Sequence, residues 1–234
     1  MTHETVIRAL RMAAPLAIAA RYDTGLNRCV EASVCGAKVL TIHGFDADPL
    51  PCAIVARNDA RCAVGTVGLE ARDCYSLIED PGCSFEEWQR ESGVYLTSSP
   101  DGGPMTHMVI RSRSDREVAI VDLTVGQIRK ELGIDAPATD HWIGDSWCTV
   151  STPDGWRVGY MSHPRPNEVM SVAAGTWSDG HGMVDDLANL TDLALQCELD
   201  HSLMLMAMQR SQPDVYAVAT SRLARFLALP CSSP

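Results

Sequence analysis

An α+β fold, with helices packed on a mostly antiparallel sheet, follows from three features of the sequence. Helical apolar spacing fills the first 44 residues, hairpin-like pairs of apolar runs occupy the middle, and helical spacing returns beyond Met183. Taken in order, Val6, Leu10, Ala13, Leu16 and Ile18 form a strip that predicts a helix over residues 5–20. Tyr22-Asp23-Thr24-Gly25-Leu26-Asn27 is polar and turns the chain. Small and aliphatic residues dominate 29–44, as expected of a buried helix that carries Cys29 and is stopped by Gly44 as its C′ glycine. After the Asp46-Ala47-Asp48-Pro49 turn, the apolar segment 50–56 reads as a strand.

Residues 58–104 read as a long irregular insertion with a short helix near 84–91, since they mix Cys62, Cys74 and Cys83 with turn-rich stretches. Segments 105–111 and 117–123 flank the polar Ser112-Arg113-Ser114-Asp115, predicting a β-hairpin, and 124–132 follows as a short helix. A second hairpin joins 147–151 to 156–161 through Thr152-Pro153-Asp154-Gly155. His163-Pro164-Arg165-Pro166 breaks the pattern and 175–182 reads as a Gly-rich loop. Leu187, Leu190, Leu193, Ala194 and Cys197 then open a helical run that continues through Leu203 and Met206, and a last helix is expected over 214–228. The expected organisation is a catalytic core over 1–140, with a hairpin and helical part over 141–234 packed on it as one globular unit.

Composition narrows the function. The 234 residues are 46% hydrophobic and 21% charged, enough for a sizeable core. A net charge of −11 with a pI near 5.0 argues against a broad basic face for nucleic acid. The densest basic run, Arg111 to Arg116, is interrupted by Asp115 and reads as a solvated hairpin turn. Nine cysteines include no Cys-x-x-Cys pair. The polar start Met1-Thr2-His3-Glu4-Thr5 is no secretory signal, and the apolar run 13–20 is too short to span a membrane. A cytoplasmic protein is expected, unattached to membranes, with most thiols acting as small buried hydrophobes.

One thiol stands apart. Cys29 falls at a helix start, where exposed amides and the macrodipole favour a thiolate. A nucleophile of this kind needs a base, and the base needs an orienting group. His107 begins one hairpin strand and Asp122 ends the next, so a turn centred near residue 114 makes them cross-strand neighbours on one face. Asn27 and Tyr22 are the candidates for a donor to an oxyanion, alongside the Cys29 backbone N–H.

The pieces Asn27-Arg28-Cys29-Val30-Glu31-Ala32-Ser33, His43-Gly44-Phe45-Asp46-Ala47, Thr106-His107-Met108-Val109 and Val121-Asp122-Leu123-Thr124 resemble the transglutaminase-like branch of the papain-type thiol enzymes. The resemblance covers roughly residues 20–130. It implies a papain/transglutaminase-like fold, a Cys29-His107-Asp122 triad, and attack on an amide, isopeptide or thioester carbonyl through a thioacyl intermediate. Its substrate would be a protein, a peptide or a small acyl compound. Asn27-Arg28 stands where transglutaminases have an aromatic-rich or Gly-rich lead and N-acetyltransferases an Arg-Gly-Gly lead, whereas Glu31 matches the Cys-x-Glu of the latter. Acyl transfer of either type, and a silent protein-binding module with the same fold, are the alternatives to hydrolysis.

Other candidates have plainer explanations. Cys35 lies mid-helix and Cys52 in an apolar strand, so both are expected in the core. Cys62, Cys74 and Cys83 are too widely spaced for a zinc site, and no cofactor or metal is expected. His43 is expected to meet the last carbonyls of its helix. His141 and Asp145 read as surface loop, and His181 with Asp185 and Asp186 as a helix start with acidic first-turn residues. Met204, Met206 and Met208 suit a buried helix or a partner surface.

Overall fold

The computed structural model describes residues 1–22, 28–58, 63–67, 72, 84–91, 95–96, 107–115, 118–124, 147–151, 157–163, 166–167, 170–171 and 181–228. The chain is α+β. Helix α1 spans His3–Arg21 and α2 spans Cys29–Ile42. Thr2 caps α1 by accepting from the Thr5 N–H at 3.2 Å. Gly44, at φ +88°, ends α2 in the left-handed conformation its sequence position predicts.

The sheet is organised by one long strand, β1 (Asp46–Asn58). Strands β2 (Ala63–Val67), β3 (Tyr95–Leu96), β4 (His107–Arg113), β5 (Val118–Val121), β6 (Trp147–Ser151) and β7 (Arg157–Ser162) complete it. Cys52 pairs with both His107 of β4 and Ser162 of β7, so these strands lie on opposite edges of β1. Ile54 pairs with both Val67 of β2 and Tyr160 of β7, so β2 takes over the β4 edge further along. The His163 N–H donates to the Pro51 carbonyl at 3.2 Å and extends the β7 ladder by one residue. Strand β5 pairs with β4 and β6 with β7, all antiparallel, while β3 joins β2 in parallel.

The antiparallel strand pairings of both expected hairpins are present. Helix α3 (Phe85–Glu91) lies where the short helix of the insertion is expected, but the segment from 46 to 49 belongs to β1 rather than to a turn. The basic run is also displaced. Arg111 and Arg113 sit in β4, where the register sets them opposite Asp48 and Asp46, and Arg113 reaches both carboxylates, at 3.1 and 2.9 Å. Opposite charges facing across an antiparallel pair explain why these arginines stay in the strand.

Beyond the sheet come α4 (His181–Gln196), α5 (His201–Ser211) and α6 (Pro213–Ala228). The continuous helical run expected from Leu187 through Met206 is broken: Glu198 (φ 52°) and Leu199 (φ 63°) turn left-handed, and Asp200 caps α5 by accepting from the Leu203 N–H. Asp185 and Asp186 lie in the second turn of α4 rather than the first, and Asp186 instead holds Arg21 of α1 at 2.7 Å. One hydrophobic cluster joins Leu10 and Leu16 of α1, Leu40 of α2, Ile110 of β4 and Val121 of β5 to Leu187, Met204 and Ala219 of the last three helices. Of the three methionines of α5, Met204 and Met208 are buried, one turn apart, while Met206 is exposed. The short helix expected over 124–132 lies outside the described residues beyond Thr124, as do most of the 58–104 insertion, His141, Asp145 and residues 172–180.

The contact that aims α2 runs along one helical face. Cys29, Ser33 and Gly36 are spaced i, i+4, i+7. The Ser33 hydroxyl donates to the Met108 carbonyl at 2.7 Å, and a Cβ on Gly36 would lie 2.5 Å from the Ile110 side chain and 2.6 Å from that of Leu123. Seven helical residues rise about 10.5 Å and three strand residues about 10 Å, so if Gly36 is abreast of Ile110, Cys29 is abreast of His107. Gly36→Val should therefore overpack a fully buried seam. A loss of about 1–3 kcal/mol is expected in urea unfolding.

Candidate active site

His107 and Asp122 meet. The ring Nε2 lies 2.9 Å from Asp122 Oδ2, and both side chains are almost wholly buried. Their register is two residues away from the expected one. Ile110 faces Val121, which extends to Asp122 facing Val109 rather than His107. Side chains alternate with period two along a strand, so this offset keeps both groups on one face and merely makes them diagonal neighbours.

Cys29 is the first residue of α2, 7% exposed, and packs on Met108. Its thiol hydrogen-bonds the His107 ring. With Nε2 turned to Asp122, Nδ1 is the nitrogen left for sulfur. Three elements thus converge: a helix tip, the first residue of β4 and the residue after β5.

Two further groups complete the site. The Tyr160 hydroxyl, from β7, donates to Asp122 Oδ2 at 3.0 Å. The Thr124 N–H donates to Oδ1 at 2.8 Å, with its hydroxyl at 3.3 Å. Sequence reasoning missed both. Thr124 was signalled by Asp-Leu-Thr, in which an Asp accepts from the N–H two residues on. Tyr160 had no local signal beyond being an aromatic with a hydroxyl in the middle of a strand.

The electrostatics follow from these contacts. Burial alone would depress the His107 imidazole, but the Asp122 charge and hydrogen bond, with the contribution of Cys29, hold it well above its ordinary value. Burial pushes the Asp122 carboxyl up, and His107, the Thr124 amide and the Tyr160 hydroxyl together bring it below the usual carboxylate value.

The expected oxyanion donors are not both here. Tyr22 caps the C-terminus of α1, with the Arg28 guanidinium 4.0 Å from its ring centroid and Arg28 bound to Glu31 at 2.9 Å. Glu31 lies about 200° around α2 from Cys29, so Tyr22 and Arg28 fasten α1 to a flank of α2 turned away from His107. Asn27 lies outside the described residues. A cavity of about 390 Å³ adjoins Asp122 and Leu123, walled by Arg8, Arg11, Met12 and Pro15 of α1 with Leu199; among its described lining Cys29 and His107 do not appear.

The plainer assignments fare variously. Cys35 and Cys52 are buried as expected. His43 reaches Asp192 of α4 at 3.5 Å rather than its own helix carbonyls alone. Among the described residues no three His, Cys, Asp or Glu side chains gather as metal ligands, and no helix is long and apolar enough to cross a membrane. No family model, curated protein or solved structure matches the chain.

The pair makes stability depend on pH in a defined way. His107 binds its proton more tightly when folded than the ordinary imidazole (6.5), so its contribution is complete below that value and is lost as pH rises through the raised folded value. Asp122 contributes above its ordinary 3.8 and loses that contribution as pH falls through the lowered one. Asp122→Asn, which strands a buried partner, should cost about 3–5 kcal/mol near pH 5–6. Unfolding measured across pH should show the deficit relative to the native chain shrinking toward both acid and alkaline extremes.

Proposed function

We propose that this chain is a thiol enzyme of papain/transglutaminase-like character that cleaves an amide, isopeptide or thioester bond. The observation that carries the reading is a single hydrogen-bonded series, Cys29 to His107 to Asp122, assembled from three separate elements. A proton held on His107 puts a cation beside the sulfur. The thiolate would attack a carbonyl carbon, forming the C–S bond, while the oxyanion meets the Cys29 backbone N–H at the open end of α2. The imidazolium then gives its proton to the departing amine or thiol, leaving a thioester. Water, deprotonated by His107, attacks the thioester and expels the Cys29 thiolate. Hydrolysis is preferred to transfer because water needs no second binding site. The substrate would be a protein, a peptide or a small acyl compound, and a reducing compartment such as the cytoplasm would keep the sulfur competent.

Iodoacetamide at neutral pH should alkylate Cys29 much faster than Cys35, Cys52 or Cys197. Uniformly slow labelling across all thiols would instead favour a silent binding module. With p-nitrophenyl acetate as a generic acyl donor, Cys29→Ala and His107→Ala should each lower turnover by about a thousandfold or more while the far-ultraviolet spectrum stays native. Full turnover by Cys29→Ala would end the assignment. Added amines that divert the acyl group into amide would mark a transferase.

A further inference from the structure

We propose that Tyr160 is a positioning residue of this site: with Thr124 it saturates the Asp122 carboxylate, which fixes His107 in the one neutral tautomer that presents a basic nitrogen to Cys29. The inference rests on the triad reading above.

An ionised carboxylate offers about four acceptor positions, two on each oxygen. Asp122 uses all of them. Oδ2 takes His107 Nε2 at 2.9 Å and the Tyr160 hydroxyl at 3.0 Å, and Oδ1 takes the Thr124 amide at 2.8 Å and the Thr124 hydroxyl at 3.3 Å. A proton on the carboxyl would have to displace an N–H donor or turn one of the two hydroxyls from donor to acceptor, in a site with no water-exposed alternative, since Asp122 is 1% exposed. The carboxylate is thereby restricted to accepting. The ring nitrogen that faces it must carry hydrogen, and when the ring is neutral its lone pair resides on Nδ1.

Tyr160 is well suited to this part. It is 1% exposed, and a buried phenol hydroxyl requires a partner. Its hydroxyl shares with the imidazole the same oxygen of Asp122, and the two rings lie 6.4 Å apart at 51°. Tyr160 approaches from β7, on the far edge of β1 from β4 and β5, so no local turn geometry would impose the contact. It acts through Asp122.

Tyr160→Phe keeps the ring and removes the hydroxyl, and two measurements test it. The first is unfolding stability from about pH 6 to about pH 3. Asp122, deprived of one donor, should titrate closer to its ordinary value, so the variant should lose less stability on acidification than the native chain. Lost packing alone would lower both curves in parallel, and a parallel pair of curves overturns the inference. The second is alkylation of Cys29 by iodoacetamide at pH 7, expected to slow by about fivefold, the worth of one hydrogen bond; an unchanged rate likewise overturns it. Should the variant not fold, nitrogen NMR of the native His107 ring decides: a neutral ring protonated on Nδ1 with Nε2 bare rules the proposal out. If native Cys29 labels no faster than Cys35 or Cys52, the triad reading fails first, and that result is independent of the Tyr160 curves.

Discussion

A carboxylate taken out of water must be compensated on every side, and Asp122 is the group on which this structure turns. An unpaired buried charge would cost several kcal/mol, and each of its donors offsets part of that cost. They come from β4, from β7 and from Thr124, two residues beyond Asp122 itself. Between β5 and β7 lie β4 and β1, three strand intervals of about 4.8 Å each. In a flat sheet, Tyr160 could not reach Asp122 across that width. The 3.0 Å contact therefore requires the sheet to curl over the face that holds His107, and the curl in turn encloses the site and removes it from water.

Helix α2 is held to that curled face by a seam rather than by a single bond. Ser33 satisfies the Met108 carbonyl and Gly36 admits Ile110 and Leu123, each at a fixed height along β4. A helix tethered at two heights has no freedom to slide, so the third member of the stripe, Cys29, is brought level with His107 to within the precision of core packing. His3, hydrogen-bonded to Ser112 at 2.8 Å and in tilted ring contact with Phe45, anchors α1 at the opposite end of the same strand. Packing thus determines the position of the sulfur, and the hydrogen bond to the ring follows from it.

How much of this was legible in the sequence depends on the reach of each interaction. The helix ending at Gly44 and both hairpins were readable because apolar period and turn chemistry act over a few residues. The meeting of His107 with Asp122 was readable despite a register two residues away from the expected one, because a slip of two leaves every side chain on its original face. A slip of one would have defeated the prediction. The Ser33 contact to Met108 spans 75 residues and the Tyr160 contact to Asp122 spans 38, and neither leaves a trace in local pattern. Tyr22 was misread for the opposite reason: it is near Cys29 in the chain, but the turn of α2 directs Arg28 and Glu31 to a different side, and Tyr22 goes with them. The break at Glu198 and Leu199 carries no glycine, so nothing in composition announced it.

The same physics sorts the cysteines. Cys35 lies in the middle of α2, where burial first and then the nearby Glu31 charge push its thiol up to about 11. Cys52 is cross-strand from His107, yet complete burial, followed by the charges of Asp122 and Cys29, drives its thiol still further from ionising. Cys35 shares α2 with Cys29 and Cys52 faces His107 across the sheet, so proximity alone does not make a nucleophile. Cys29 differs in having the imidazole as a hydrogen-bond partner and in sitting at a helix start. Among the described thiols, Cys35 and Cys52 are the two whose ionisation is opposed in this way. Here the carboxylate that supports His107 is also among the charges that keep Cys52 protonated, so one buried group both equips the candidate nucleophile and silences its nearest rival.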